Sequence, residues 1–217
     1  MKTDTIAAIA TAVSNSGIGI IRVSGEEAID LIHSIFINNK KEHCLNRYKS
    51  HTIHYGFIAN KEDEILDEVM ISVMKAPNSY TMEDTVEINC HGGVFIMQKI
   101  LELIINSGAR IAEPGEFTKR AFLHGRIDLT KAEAVMDLIE SRNEFAAKSA
   151  VSQLKGSVSE VIKELRTQIL QEIAFIEAAL DDPEHFDLEA EGYDEVLFHE
   201  IKEIEKRIQS LIDSAGD

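Results

Sequence analysis

Near Thr118 the spacing of apolar residues along this chain changes, and a single layer of secondary structure does not satisfy both spacings. Upstream lie short β-rich runs at Thr5 to Thr11, Gly17 to Val23, His51 to Ile58, Ile65 to Met74 and Thr85 to Cys90, bounded by Gly, Asn, Pro and Ser clusters. Two helical patterns interrupt them. One follows Ser24-Gly25 and carries Ala28, Ile29, Ile32 and Phe36 on one face; the other begins near Gly93, carries Ile96, Ile100, Leu103 and Ile104, and ends at Gly108. Downstream the period is helical almost throughout. Val158, Ile162, Leu165, Ile169, Ile173, Ile176 and Leu180 recur at steps of three and four, as do Leu197, Ile201, Ile204, Ile208 and Leu211. The expectation is an α+β domain over residues 1–118 followed by an all-α helical bundle segment over 119–217. Thr130-Lys131-Ala132-Glu133 has the form of a capping box and predicts a helix start there. Asp181-Asp182-Pro183-Glu184-His185-Phe186-Asp187 predicts a charged connection between the two longest helices.

Charge narrows the function classes. Lys and Arg total 22 against 38 Asp and Glu, a formal charge of −16, which is the wrong sign for a protein that coats nucleic acid through its phosphates. Any RNA contact is therefore local or made elsewhere. Cys44 and Cys90 have no metal-ligand or disulfide spacing, so no structural zinc is expected and a reducing cytoplasm fits. No apolar run reaches the roughly 18 residues of a membrane span, and the N-terminus does not read as a signal peptide.

Three stretches have compositions that packing alone explains poorly. In Gly17-Ile18-Gly19-Ile20-Ile21-Arg22-Val23-Ser24-Gly25, glycines let a backbone or ligand approach, and Arg22 needs an anionic or carbonyl partner. A structural carboxylate would satisfy it as well as a ligand would. In Thr85-Val86-Glu87-Ile88-Asn89-Cys90-His91-Gly92-Gly93, alternation sends Val86, Ile88 and Cys90 to one face and Glu87, Asn89 and His91 to the other. The Glu87 carboxylate suits a ligand with two adjacent N–H donors, such as a pterin edge, although an ordinary exposed strand glutamate fits too. The third stretch, Pro114 to Thr130, gathers Lys119, Arg120 and Arg126 in an otherwise acidic chain, and Gly125 supplies a turn that can expose Arg126. Salt bridges to Glu113, Glu116 and Asp128 are the alternative to anion binding there. No catalytic triad, GxSxG or HExxH pattern occurs.

In order and spacing, Thr5 to Thr11, Gly17 to Gly25, Pro77-Asn78-Ser79-Tyr80-Thr81-Met82-Glu83-Asp84, Glu87 with His91-Gly92-Gly93, Pro114 to Phe117 and Asp128 to Ala134 resemble the tRNA wobble-uridine modification GTPase family MnmE (TrmE). The resemblance covers essentially the whole chain. It implies an N-terminal domain similar to folate-dependent aminomethyltransferases, which binds 5-formyl-tetrahydrofolate or another reduced folate and forms a homodimer. Arg22, Glu87 and Arg126 match the family's folate-contacting positions. It further implies a cytoplasmic protein that works with the flavoprotein MnmG to place an aminomethyl or carboxymethylaminomethyl group on carbon 5 of the wobble uridine of tRNA.

The chain departs from the family pattern in two places. The usual Pro-Pro-Gly loop reads Ala12-Val13-Ser14-Asn15-Ser16, and no GxxxxGK[ST] phosphate loop occurs. GTP, Mg and K are thus expected only in a G domain this sequence lacks, together with a C-terminal lysine near the folate, and the chain itself is not expected to hydrolyse GTP. An independent folate-dependent one-carbon transferase is the alternative, disfavoured by the helical second half. A helical scaffold would leave the polar rim without a purpose.

Overall fold

A computed structural model describes residues 4–60, 62, 64–181 and 193–215. The chain divides into two compact units, Met1–Ile127 and Asp128–Asp217. The expected acidic connection lies, apart from Asp181, outside the described residues.

The first unit is built on a seven-stranded sheet in the order β3-β4-β5-β6-β2-β1-β7. Its strands are β1 (Ile6–Ile9), β2 (Gly19–Ser24), β3 (Phe36–Asn38), β4 (Thr52–Ala59), β5 (Ile65–Met74), β6 (Thr85–Cys90) and β7 (Arg110–Ile111). All neighbours are antiparallel except β1 and β7. Strict alternation gives the central strands two different faces. Ile21, Val23, Val69, Ile71, Val73, Val86 and Ile88 are buried on one. Against them pack α1 (Ala28–His33), through Ala28 and Ile32, and α2 (Val94–Asn106), through Met97, Ile100 and Ile104. A Cβ at Gly19 would meet the Met97 side chain, so this glycine eases the close approach of α2.

Two sequence expectations shift. Phe36 is not on the first helix, which ends at His33; it sits in β3, fully buried and paired with Ile58. The run Ile35-Phe36-Ile37 favours extended backbone, and pairing with β4 outweighs the continuing helical spacing. Helix α3 (Glu116–Leu123) belongs to the first unit, so the hydrophobic period changes before the fold divides.

The second unit contains α4 (Leu129–Glu140), α5 (Glu144–Leu154), α6 (Ser157–Asp181) and α7 (Tyr193–Ala215). The first of these starts before Thr130, because Asp128 is the N-cap: its Oδ1 accepts from the Lys131 N–H at 2.9 Å. Helix α5 has no counterpart in the periodicity reading and is capped by Asn143, whose side chain accepts from the Ala146 N–H. The architecture is thus α+β followed by a helical segment. No described helix is long and apolar enough to cross a membrane.

Candidate ligand-binding site

The sheet face opposite α1 and α2 carries the polar residues. Register places Arg22 of β2 directly across from Glu87 of β6, and their side chains meet: Arg22 Nε donates to Glu87 Oε1 at 2.8 Å and Nη2 lies 2.7 Å from the same oxygen. Both remain partly exposed, at 29% and 24% of their side-chain areas. Two residues read separately as ligand contacts are therefore each other's partner, and the structural carboxylate foreseen for Arg22 is Glu87 itself. Glu87 Oε2 accepts no hydrogen bond among the described residues, so half of the carboxylate remains open.

Arg126 reaches the same neighbourhood from the end of α3. That helix closes with Gly125 at φ 78°, while the Gly125 N–H bonds to the Phe122 carbonyl and the Arg126 N–H to the Ala121 carbonyl. This pair of bonds is a Schellman ending, which needs a left-handed residue and reverses the chain. Arg126 then donates from Nη1 to the Tyr80 carbonyl at 3.2 Å, with its guanidinium 4.8 Å from the Tyr80 ring centre. The Arg22 guanidinium lies 5.7 Å from that ring and 5.5 Å from the ring of Phe117. Arg22 and Arg126 thus meet around one tyrosine, with Glu87 paired to Arg22. A cavity of about 680 Å³ opens beside it, lined by His51, Met74, Pro77, Tyr80, Met82 and Arg126 among others. Its volume is in the range of small-molecule sites; Arg22 borders the ring, and neither Arg22 nor Glu87 lines this cavity.

The loop carrying Tyr80 is anchored from below. Glu83 is buried and accepts from Arg120 Nη1 at 3.0 and 3.1 Å and from the Ser24 hydroxyl at 2.7 Å. Arg120, also buried, reaches Asp4 and Glu116 through Nη2, and Arg110 grips the same two acids. Hydrogen bonds from Arg110 hold the Glu116 carboxyl down at about 2. Of the cations in this stretch, Arg120 is therefore structural, whereas Arg126 is exposed. Of the acids named as its partners from sequence, Glu116 is one; Asp4 and Glu83 come from far upstream.

The rest of the polar rim is distinct. Asn89 donates to the Met70 carbonyl, and His91 Nδ1 lies 2.6 Å from Asp67 Oδ1, a contact that raises the imidazole above its ordinary value. Cys90 points into the core, and burial pushes its thiol up to about 11. Tyr80 and Phe117, which lie beside Arg22 and Arg126, and Thr118, whose hydroxyl meets that of Tyr80, have no place among the residues singled out from sequence. An aromatic inside the Pro, Asn and Ser-rich run 77–81 was the available signal, since binding residues are disproportionately found on loops.

Comparison with known proteins agrees with this division of the chain. The family model described as GTP-binding protein TrmE N-terminus matches residues 5–126, and that of the MnmE helical domain matches residues 129–217. The tRNA modification GTPase MnmE of Lachnoclostridium phytofermentans is 53% identical over 215 residues, covering 99% of this chain and 46% of that protein. Those of Alkaliphilus oremlandii and Staphylococcus aureus strain Newman are 51% and 46% identical, over 98% and 100% of this chain and 46% of each relative. The chain spans about half the length of the curated relatives it matches. With both units matched along nearly their whole lengths, the chain belongs to the MnmE (TrmE) family of tRNA modification GTPases.

Proposed function

We propose that the first unit binds a reduced folate, such as 5-formyl-tetrahydrofolate, and homodimerises, as the N-terminal part of a longer GTPase that modifies tRNA. The observation that carries the reading is that Arg22, paired to Glu87, and Arg126, from three separate stretches in all, are brought together by Tyr80. The donor set fits the ligand. Glu87 Oε2 is open to the N–H edge of a pterin, Arg126 keeps most of its N–H groups for a carboxylate, and the aromatic rings offer flat apolar surface. A bound reduced folate supplies a one-carbon unit; the protein's residues hold and orient it. Within the longer protein, the partner is the flavoprotein MnmG, the product is an aminomethyl or carboxymethylaminomethyl group on carbon 5 of the wobble uridine, and GTP with Mg and K is used in the G domain. The cytoplasm is the compartment where that substrate is found.

The dimer reading rests on the open sheet face, where Ile53, Tyr55 and Met70 remain 68%, 46% and 48% exposed on adjacent strands. A second copy of this chain would cover them, because contiguous exposed apolar side chains mark association surfaces. Light scattering at tens of micromolar should give a dimer, and Ile53→Lys should shift it toward monomer; a wild-type monomer contradicts this part.

Calorimetric titration of 5-formyl-tetrahydrofolate tests the ligand. Glu87→Gln replaces an acceptor by a donor and releases Arg22, so affinity should fall roughly 30- to 150-fold, the loss of a charge-assisted pair worth about 2 to 3 kcal/mol. Equal affinity in the variant contradicts the role given to Glu87.

A further inference from the structure

Among the described residues Tyr80 is the one whose ring lies near both arginines of the site, and its carbonyl, ring and hydroxyl each have a partner. Its carbonyl accepts from Arg126, its ring lies near both guanidinium groups, and its hydroxyl is 3.0 Å from the Thr118 hydroxyl. Below it, Thr81 is buried with its hydroxyl 2.6 Å from that of Ser24, next to the Glu83 anchor. The backbone under the ring is therefore fixed on both sides; of the arginines above it, Glu87 already holds Arg22, whereas Arg126 is a long, flexible chain.

Arg126 has particular need of such support. Among the described residues its partners are the Tyr80 carbonyl and ring alone, with no carboxylate. A solvated arginine on a helix end samples many rotamers, and ordering it when a ligand arrives costs affinity. A cation resting on an aromatic face is held electrostatically by the ring quadrupole, which restricts those rotamers beforehand.

We propose that Tyr80 is a positioning residue of the site: its ring preorganises Arg22 and Arg126 so that both guanidinium groups face one anionic ligand. This rests on the reading that the ligand is a reduced folate. The ring carries the effect, and the hydroxyl only pins the ring to α3 through Thr118.

Titrations of 5-formyl-tetrahydrofolate into wild type, Tyr80→Phe, Tyr80→Leu, Arg126→Ala and the Tyr80→Leu/Arg126→Ala double variant test it. Tyr80→Phe should retain affinity within roughly threefold, and Tyr80→Leu should lose about 5- to 30-fold, the sum of two modest cation–aromatic contacts. In the Arg126→Ala background the Tyr80→Leu loss should shrink severalfold, because one of the two cations is already gone. If Tyr80→Leu does not fold, phenylalanines of increasing fluorination at position 80 replace it, since they drain the ring quadrupole at nearly constant shape. Affinity should then fall stepwise, and unchanged affinity across that series overturns the proposal. An unaffected Tyr80→Leu beside a weakened Glu87→Gln overturns it while leaving the folate reading intact. An equal loss from Tyr80→Leu with and without Arg126 overturns it too. Absence of folate binding by wild type overturns both.

Discussion

The two units treat their apolar residues in opposite ways. In the first, isoleucines and valines from four strands and two helices are buried in one cluster. In the second, the buried apolar residues among those described are Ala134, Ala150, Leu165 and Ala179, whereas Ile139, Phe145, Ile162, Ile169, Ile173, Ile201, Ile208 and Ile212 are 40% or more exposed. Ile162, Leu165, Ile169, Ile208, Leu211 and Ile212 line an open groove of about 520 Å³ along α6 and α7. A sheet offers a broad surface on which helices can lay a whole face. Two helices side by side bury only the seam between them, and their broad stripes need further helices to close. Amphipathic period therefore states which residues want burial but not whether a partner surface is at hand.

The largest expected break in the comparison is at the ion cluster of the first unit. Arg120→Ala leaves the buried Glu83 without its cation and should destabilise by about 3 to 5 kcal/mol, more than any single exposed isoleucine of the helices. Urea unfolding in a Tyr193→Phe background, where the near-ultraviolet tyrosine signal comes from Tyr48, Tyr55 and Tyr80 of the first unit, measures it; a loss below about 1 kcal/mol would mean the pair is not closed in solution.

Next comes a matched pair of truncations. Ile100→Ala, at a fully buried position, should cost about 2 to 5 kcal/mol by lost transfer energy and cavity formation, while Ile169→Ala, at a position 40% exposed, should cost about 1 kcal/mol or less. Equal costs would show that the α6 stripe is covered in solution, for instance by self-association, and concentration dependence of the Ile169→Ala effect would reveal it.

A smaller effect sharpens the same contrast by pH. The Glu116 carboxyl is held at about 2 against an ordinary 4.5, so its contribution to stability is complete above pH 4.5 and is lost as pH falls through 2. The stability gap between wild type and Glu116→Gln should be on the order of 2 kcal/mol at neutral pH and should close between about pH 4.5 and pH 2. A gap that stays constant over that interval would contradict the pairing with Arg110.

Much of the first unit was legible because alternation is a strong signal. The runs Ile65–Met74 and Thr85–Cys90 are strands with the ends read from sequence, and Val86, Ile88 and Cys90 are buried while Glu87 and Asn89 are not. What alternation does not carry is register. Arg22 faces Glu87 because β2 pairs with β6 antiparallel at one particular offset, across a sequence separation of 65 residues. The meeting of Arg126 with Tyr80 was hidden for the same reason, since it depends on where α3 ends and on the reversal at Gly125. Phe36 shows the opposite failure: a helical spacing was present, and tertiary pairing with β4 overrode it.

The central claim is that ligand recognition resides in the first unit, around the 77–84 loop and α3. Amide hydrogen exchange with and without saturating 5-formyl-tetrahydrofolate tests it most directly, because ligand binding slows the opening of the segments it holds. The account predicts added protection in residues 78–84, in α3 through Arg126 and at the facing segments of β2 and β6, with α5 and α6 unchanged. Protection confined to the helices of the second unit, or none in the Tyr80 loop, would contradict it.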